Sequence, residues 1–283
     1  MPDPDDTALD ETYSGYVGVA DGRLYYEEAG DGEAVVLLHA GLVAAGMWDP
    51  QFGALAAGYR AVRFDARGHG RSSEPGGPFC WYEDLRGLFG ALGIERAHLV
   101  GLSLGARVAL DFALAYPDMV GGLVLASPGL SGYQFAGEVE RRSREMTEAH
   151  DRGDNERAVE IFLQMWTDGP SRKAWQATPG VRDRVREMAL ANMRRPPAPA
   201  VDPGAVVARE LEPPAIGRLR EVRAPSLILA GEKDMPDILV IGELLAGTIE
   251  GARKVVLPGV AHMLNLERPT VFNQLVVDFL GRV

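Results

Sequence analysis

The segment 97–118 constrains the fold most, because it joins a buried strand, a sharp turn and a buried helix. Residues 97–100 are strand-like, and apolar residues after position 104 are dense enough for a largely buried helix. The turn, Gly101-Leu102-Ser103-Leu104-Gly105, has the pattern G-x-S-x-G. A serine at such an apex has a strained backbone, and it needs glycines where side chains would collide with neighbouring backbone. The pattern predicts an accessible hydroxyl at a helix N-terminus, whose unpaired N–H groups attract negative charge.

The pentapeptide alone does not decide the function, because a glycine-rich strand–helix turn has other uses. A phosphate-binding P-loop is excluded, since no Lys-Ser or Lys-Thr pair follows the second glycine. A dinucleotide-binding turn is excluded as well, because its third glycine is missing. The rest of the chain must therefore distinguish the remaining possibilities.

Eight short segments have strand character. They lie at 16–19, 23–27, 34–38, 60–65, 97–100, 122–126, 226–230 and 253–257. From residue 34 onward they alternate with helical segments, which predicts an α/β fold with a mainly parallel eight-stranded sheet flanked by helices. The first two segments meet at Asp21-Gly22, which predicts an antiparallel hairpin at the leading edge of this sheet.

The alternation stops between residues 131 and 212, where helical stretches occur at 136–150, 155–167 and 181–194. We therefore expect an α/β core formed by 13–130 and 213–283, and a helical cap formed by 131–212. Such an insertion is expected to cross the carboxyl edge of the sheet, where open α/β sheets bind ligands. Residues 1–12 contain five acidic and no basic side chains, which predicts a disordered acidic tail.

Charge and composition limit the partners. The net charge of −11 disfavours binding to nucleic acid or to an anionic membrane surface. A single cysteine, Cys80, excludes an internal disulfide and a cysteine metal cluster. The N-terminus lacks the charged and apolar regions of a signal peptide, and no stretch of 18 apolar residues occurs. We expect a cytoplasmic monomer or homo-oligomer that acts on a small molecule.

A serine hydroxyl becomes nucleophilic only beside a base, and that base needs a carboxylate to orient it. His262 is the candidate base, because its loop follows the last strand and so lies at the same sheet edge as Ser103. The other histidines lie on the strand before the serine, in the charged insertion and in two glycine-containing loops: His98, His150, His39 and His69. Asp234, directly after the strand at 226–230, is the preferred carboxylate, with Glu232 and Asp237 as alternatives.

At this point the chain resembles the α/β-hydrolase superfamily, in particular its small cap-bearing serine hydrolases such as esterases and enol-lactonases. The resemblance covers about 15–130 and 215–283. Its motifs are His39-Ala40-Gly41, Asp65-x-Arg67-Gly68-His69-Gly70-x-Ser72, the Ser103 turn, Gly231-x-x-Asp234 and Gly259-Val260-Ala261-His262. Two positions depart from the usual pattern: Ala40 and Ala106 stand where family members commonly have glycine.

The resemblance implies a catalytic triad of Ser103, Asp234 and His262 that needs no metal or organic cofactor. One oxyanion donor is expected to be the Leu104 N–H. The other should come from the loop after His39, from Gly41 or from Leu42, and we favour Gly41. His39 and the run 67–72 are expected to fix loops. Candidate pocket residues, each of which could instead be ordinary core packing, are Trp48, Phe135, Met165, Trp166 and Met263.

The function indicated is hydrolysis of a carboxylic ester or lactone of a small molecule through an acyl-enzyme on Ser103. Carbon–carbon bond hydrolysis and thioester hydrolysis on the same triad are alternatives. Haloalkane dehalogenase and epoxide hydrolase activities are disfavoured, because both use a carboxylate where Ser103 stands. A protein of another class, a ligand-binding receptor with this fold and no catalysis, also fits these motifs.

Overall fold

The computed structural model describes residues 12–135, 137–196 and 208–283. The predicted tail therefore lies outside the described residues except for Thr12, and so do residue 136 and the segment 197–207 of the predicted cap. Eight strands form one sheet. They are β1 Tyr13–Val19, β2 Gly22–Ala29, β3 Ala34–Leu38, β4 Arg60–Phe64, β5 Ala97–Leu102, β6 Val120–Ala126, β7 Ser226–Gly231 and β8 Arg253–Leu257.

The sheet has the order β1-β2-β4-β3-β5-β6-β7-β8. Pairs involving β2 are antiparallel, and every pair from β4 to β8 is parallel, which confirms the mainly parallel sheet with a leading hairpin. The chain moves from β3 to β4 in one direction and then returns past β3 to β5. The loops after β3 and β5 therefore diverge at a switch point, where α/β sheets form a ligand crevice.

One detail of the sheet differs from the sequence prediction. Val19 pairs with Gly22, so the hairpin loop is Ala20-Asp21, and Asp21 takes the positive φ of 58°. Aspartate tolerates this conformation, which allows the turn to lie one residue earlier than predicted. Strand β8 is the edge strand at the other side of the sheet, and Val256 is 44% exposed there.

Helices cover both faces of the sheet. They are α1 Asp49–Ala56, α2 Trp81–Leu92, α3 Leu104–Ala115, α7 Pro236–Thr248, α8 Leu264–Glu267 and α9 Pro269–Leu280. Helices α1, α8 and α9 contact one another on one face, and α2 and α3 pack together on the other. The two resulting apolar cores are separated by the buried central strands, which explains why β3 and β6 are apolar throughout and β5 is apolar except for His98.

Two helical regions beside the sheet are interrupted. The first begins as a 3₁₀ turn, Ala45–Trp48, and becomes α-helical at Asp49, where Pro50 suits the first helical turn. The second, after β8, is divided into α8 and α9 at Arg268, directly before Pro269. In both cases a proline lies in the first turn of the new helix, where its ring fits.

Among the described residues between β6 and β7 there are three α-helices: α4 Gly137–Asp151, α5 Asn155–Leu163 and α6 Val181–Met193. A π-helical turn, Gln164–Asp168, follows α5. Helix α5 packs against both α4 and α6, and buried residues of all three join the two cores. The helices occur where the insertion was predicted, while its division from the core at 131 and 212 stays a prediction.

Candidate active site

Ser103 occupies a strained turn between β5 and α3. Its φ is 58° and its ψ is −111°, a conformation that non-glycine residues rarely adopt. A Cβ at Gly101 would lie 2.4 Å from the carbonyl carbon of Gly105, and one at Gly105 would lie 2.1 Å from the Leu38 carbonyl oxygen. The glycines of the motif are therefore required by the approach of α3 to β3 and β5. The turn is held by hydrogen bonds, including that from the Ser103 N–H to the Ala126 carbonyl at 3.0 Å.

His262 and Asp234 form a buried pair at the same sheet edge. The imidazole Nδ1 lies 3.0 Å from both carboxylate oxygens of Asp234. Each residue is only 2% exposed, and the Met235 N–H donates to Asp234 Oδ1 at 2.7 Å. A carboxylate in this position favours the tautomer with the proton on Nδ1, which leaves Nε2 as the basic nitrogen.

The alternative acids have other partners. Glu232 accepts a hydrogen bond from the Gly259 N–H at 2.8 Å and pairs with Lys233. Asp237 accepts from the Tyr133 hydroxyl at 3.2 Å. Their positions explain why all three acids looked alike in the sequence, since each follows β7 within a few residues. The carboxylate in contact with the His262 imidazole is that of Asp234.

Ser103 and His262 line one cavity of about 430 Å³. Of the five predicted pocket residues, Phe135, Trp166 and Met263 line this cavity. The Trp166 ring centroid lies 4.6 Å from that of His262. The prediction for Trp48 and Met165 is corrected, because both are buried core residues away from this lining; Trp48 packs 5.9 Å from the Phe272 ring.

The predicted oxyanion donors belong to the same cavity wall, which includes Gly41, Leu42 and Leu104. Leu104 is the first residue of α3, and its N–H is therefore among those without a partner inside the helix. Leu42 has a positive φ of 59°. Which N–H of the β3 loop would face the oxyanion, and the Gly41 preference with it, stays a prediction.

The remaining histidines contact loop groups. His39 Nε2 accepts from the Ala66 N–H at 2.8 Å, and its Nδ1 lies 2.7 Å from the Ala40 carbonyl oxygen. Burial lowers the pKa of His39, and it lowers the pKa of His69 to about 3. Both rings are therefore neutral at pH 7. His98 lies beside Glu33, and His150 contacts Asn155.

The loop after β4 is fixed by buried polar contacts. Arg67 makes a bidentate ion pair with Asp84, with N–O distances of 2.8 and 2.6 Å. Asp65 accepts from the N–H groups of Ala45 and Arg71. The Asp65 carboxylate thus links the β3 and β4 loops, and these contacts agree with the loop-fixing role predicted for the run 67–72.

A model of the alpha/beta hydrolase family matches residues 35–275 of this chain. The chain belongs to the alpha/beta hydrolase family. Among its hydrolase relatives is 2-hydroxy-6-oxo-6-phenylhexa-2,4-dienoate hydrolase of Comamonas testosteroni, 30% identical over 93% of this chain and 92% of the relative. Carboxylesterase YbfK of Bacillus subtilis is 27% identical over 95% of this chain and 88% of the relative.

The fold of this hydrolase is also similar to solved structures. The crystal structure of the enol-lactonase from Burkholderia xenovorans LB400 superposes with a TM-score of 0.73 at 25% identity, and the match covers 94% of this chain and all of the other (100%). The relatives of this hydrolase are named for different bonds: they include a dienoate hydrolase, a carboxylesterase and an enol-lactonase.

Sequence reasoning missed an ion pair in the cavity wall of the hydrolase. Arg107 Nη1 lies 2.8 Å from Glu210 Oε1, and both residues line the cavity with Ser103. Arg107 stands four residues after Ser103 on α3, and this spacing could have placed it one turn from the serine. Nothing local indicates Glu210, which is 103 residues farther along the chain.

The loop that carries His262 has a second support that the sequence did not indicate. The Glu267 carboxylate accepts from the Ala261 N–H at 2.8 Å and forms a buried bidentate ion pair with Arg172. Arg172 also donates to the Gly259 carbonyl at 3.2 Å. The Arg172–Glu267 pair therefore joins the segment after α5 to Gly259 and Ala261, which directly precede His262.

Across the described ranges 12–135, 137–196 and 208–283, no group of three or more His, Cys, Asp or Glu side chains is placed to hold a metal ion. Within the same ranges, none of the helices combines the length and the apolar character needed to cross a membrane.

Proposed function

We propose that this protein is a serine hydrolase that cleaves a carboxylic ester or lactone of a small, uncharged molecule through an acyl-enzyme on Ser103. The observation that carries the proposal is the buried contact of His262 Nδ1 with Asp234, on the wall of the cavity that also contains Ser103. This arrangement supplies a nucleophile, a base and an orienting carboxylate from three separate loops.

In the proposed reaction, His262 Nε2 removes the hydroxyl proton as Ser103 Oγ attacks the carbonyl carbon. Asp234 stabilises the imidazolium that forms. The tetrahedral intermediate collapses, and the imidazolium gives its proton to the departing alkoxide. Water then attacks the acyl-enzyme while His262 accepts the water proton, and a second collapse returns that proton to Ser103 and releases the acid.

The negative charge of each tetrahedral intermediate would be stabilised by the Leu104 N–H and by an N–H of Gly41 or Leu42. These donors lie at fixed backbone positions, so they need no rearrangement during the reaction. Loss of one such donor typically costs about 2.7–4 kcal/mol of transition-state stabilisation.

The lining of the cavity favours an uncharged substrate. It is largely apolar, with contributions from Phe135, Phe162 and Trp166. Among the described lining residues, the Lys or Arg side chain is that of Arg107, and it is ion-paired with Glu210. A dienoate such as the one named for the Comamonas relative carries a carboxylate, and burying that charge is costly unless it is paired and hydrogen-bonded. Carbon–carbon bond hydrolysis is therefore the second candidate, supported by that similarity, and ester or lactone hydrolysis the first.

The test is a comparison of substrates with wild-type protein and Ser103→Ala. We expect turnover of p-nitrophenyl butyrate or a simple lactone to exceed that of an aryl dienoate and of a thioester of the same acyl group. Loss of a triad nucleophile costs roughly a millionfold in turnover, so Ser103→Ala should be silent while Ser143→Ala, on α4, stays active. Faster turnover of the dienoate would favour the carbon–carbon activity, and tight ligand binding without turnover would favour a receptor.

A further inference from the structure

The end of helix α6 holds the loop in which the second oxyanion donor is predicted. Asn192 lies on the last turn of this helix. Its Nδ2 donates to the carbonyl oxygens of Leu42 at 3.0 Å and of Val43 at 3.2 Å. Its Oδ1 accepts from the Gly70 N–H at 2.8 Å. One amide side chain thus binds three backbone groups on the two loops that follow β3 and β4.

The backbone conformation of Leu42 indicates what these hydrogen bonds stabilise. A leucine with a φ of 59° is strained, and such a residue stays in place only when its surroundings hold it. Asn192 holds the peptide planes on both sides of Val43, directly after Leu42. If these planes were released, Leu42 could return to a negative φ, and the N–H groups of Gly41 and Leu42 would change direction.

We propose that Asn192 is a positioning residue for the oxyanion hole: by donating to the Leu42 and Val43 carbonyls, it aims the N–H of the β3 loop into the Ser103 cavity. The hole is then complete only while α6 is docked on the core. This inference rests on the proposed function, because it assigns Asn192 to the stabilisation of an intermediate formed on Ser103.

A simple docking role for Asn192 is the alternative, and the chain offers a matched control for it. Arg195, three residues later, joins the same helix end to the core through the carbonyls of Gly70 and Ser72 and the carboxylate of Glu74. These hydrogen bonds of Arg195 go to the β4 loop, whereas those of Asn192 also go to the Leu42 and Val43 carbonyls of the β3 loop. Removal of Arg195 therefore reports on docking, whereas removal of Asn192 reports on docking and on the β3 loop.

The experiment compares wild type, Asn192→Ala, Asn192→Asp and Arg195→Met with p-nitrophenyl butyrate and with an arylboronic acid, which forms a tetrahedral adduct on an active serine. Misplacing a catalytic group by about 1 Å can cost on the order of 100-fold. We expect Asn192→Ala to lower kcat by about 10–100-fold and to weaken boronate binding by the same factor, with KM nearly unchanged. Arg195→Met should lower the melting temperature while kcat and boronate affinity change little.

Asn192→Asp tests the donor and acceptor ends of the amide separately. Because the two side chains are close to isosteric, this variant also guards against the possibility that Asn192→Ala fails to fold. Asn192→Asp retains an acceptor for the Gly70 N–H but presents a carboxylate oxygen to the two carbonyls. We expect it to be as impaired as Asn192→Ala. Wild-type behaviour of Asn192→Asp, or a loss confined to KM, would overturn the inference while leaving the proposed function intact. A wild-type protein that turns over no ester or lactone would instead overturn the proposed function and this inference with it.

Discussion

Ser103 shows how a single residue can be held ready for chemistry. Its strained conformation costs about 1–3 kcal/mol, so the neighbouring structure must enforce it. The Ser103 carbonyl accepts hydrogen bonds from the N–H groups of Arg107 at 3.0 Å and Gly129 at 3.1 Å, in addition to the bond that its own N–H makes with β6. The backbone around the serine is therefore fixed by three hydrogen bonds, while Ser103 itself lines the cavity.

Asp234 offers a residue-scale test of the proposed mechanism. Asp234→Asn keeps the shape of the side chain but can donate to Nδ1, which favours the wrong imidazole tautomer. We expect kcat for p-nitrophenyl butyrate to fall by about 10⁴-fold with little change in the melting temperature. Glu232→Gln, at a neighbouring turn position, should stay close to wild type. If Asp234→Asn kept wild-type turnover, the assignment of the acid would be wrong.

At the scale of elements, helix α3 buries a carboxylate in addition to carrying the serine turn. Asp111 is 4% exposed, and its oxygens accept from the Ser131 hydroxyl at 2.7 and 2.6 Å. Burial raises the pKa of Asp111 from 3.8 to about 6, against the opposing effects of the Ser131 hydrogen bond and of Arg107. The folded protein therefore binds the Asp111 proton more tightly than the unfolded chain does.

This difference predicts a pH-dependent effect of Asp111→Asn. Between pH 4 and pH 6 the unfolded chain has lost the proton and the folded protein still holds it, so wild-type stability falls as the pH rises through this window. Asp111→Asn removes this titration. The free energy of unfolding of Asp111→Asn, minus that of wild type, should therefore rise by about 2–3 kcal/mol between pH 4 and pH 7. Urea unfolding of both proteins across this range measures it, and a constant difference would contradict the burial argument.

The short helix α8 ends in Glu267, which joins the His262 loop to the segment after α5. Arg172 and Glu267 are 9% and 1% exposed in their side chains, so removal of one partner leaves a buried charge unpaired. We expect Glu267→Ala to lower the free energy of unfolding by about 3–5 kcal/mol and to lower kcat as well, because Ala261 loses its anchor.

The matched control for this pair is Glu145→Ala, which breaks the exposed ion pair with Arg141 on α4. Such surface pairs contribute about 1 kcal/mol or less. Urea unfolding and ester turnover should therefore separate the two variants clearly. Equal, small losses in both would show that the Arg172–Glu267 pair does not support the histidine loop.

At the scale of the whole molecule, the sequence predicted those features that depend on neighbouring residues, such as strands and turns. The strand at 34–38 and the serine turn lie where the sequence predicted them. Burial on both faces requires a run of apolar residues, and the close backbone approaches require glycines, so both features can be read from the local sequence. The predicted order of serine, acid and histidine along the chain also placed Asp234 and His262 on neighbouring loops, where the structure has them in contact.

What was missed depends on partners distant in sequence. Asn192 and Leu42 are 150 residues apart, and Arg172 and Glu267 are 95 apart, so no period or spacing reveals either contact. The same reason explains Trp48, which was expected in the pocket and packs instead against Phe272. An apolar side chain near a sheet edge carries no local signal that tells a pocket wall from the core.

The central claim is that Ser103 is made nucleophilic by His262, and labelling with a fluorophosphonate followed by peptide mass spectrometry tests it most directly. We expect a single adduct on Ser103 in the wild-type protein, and a labelling rate in His262→Ala that is lower by several orders of magnitude, while His150→Ala reacts like wild type. No adduct on Ser103, or an equal rate in His262→Ala, would contradict the account.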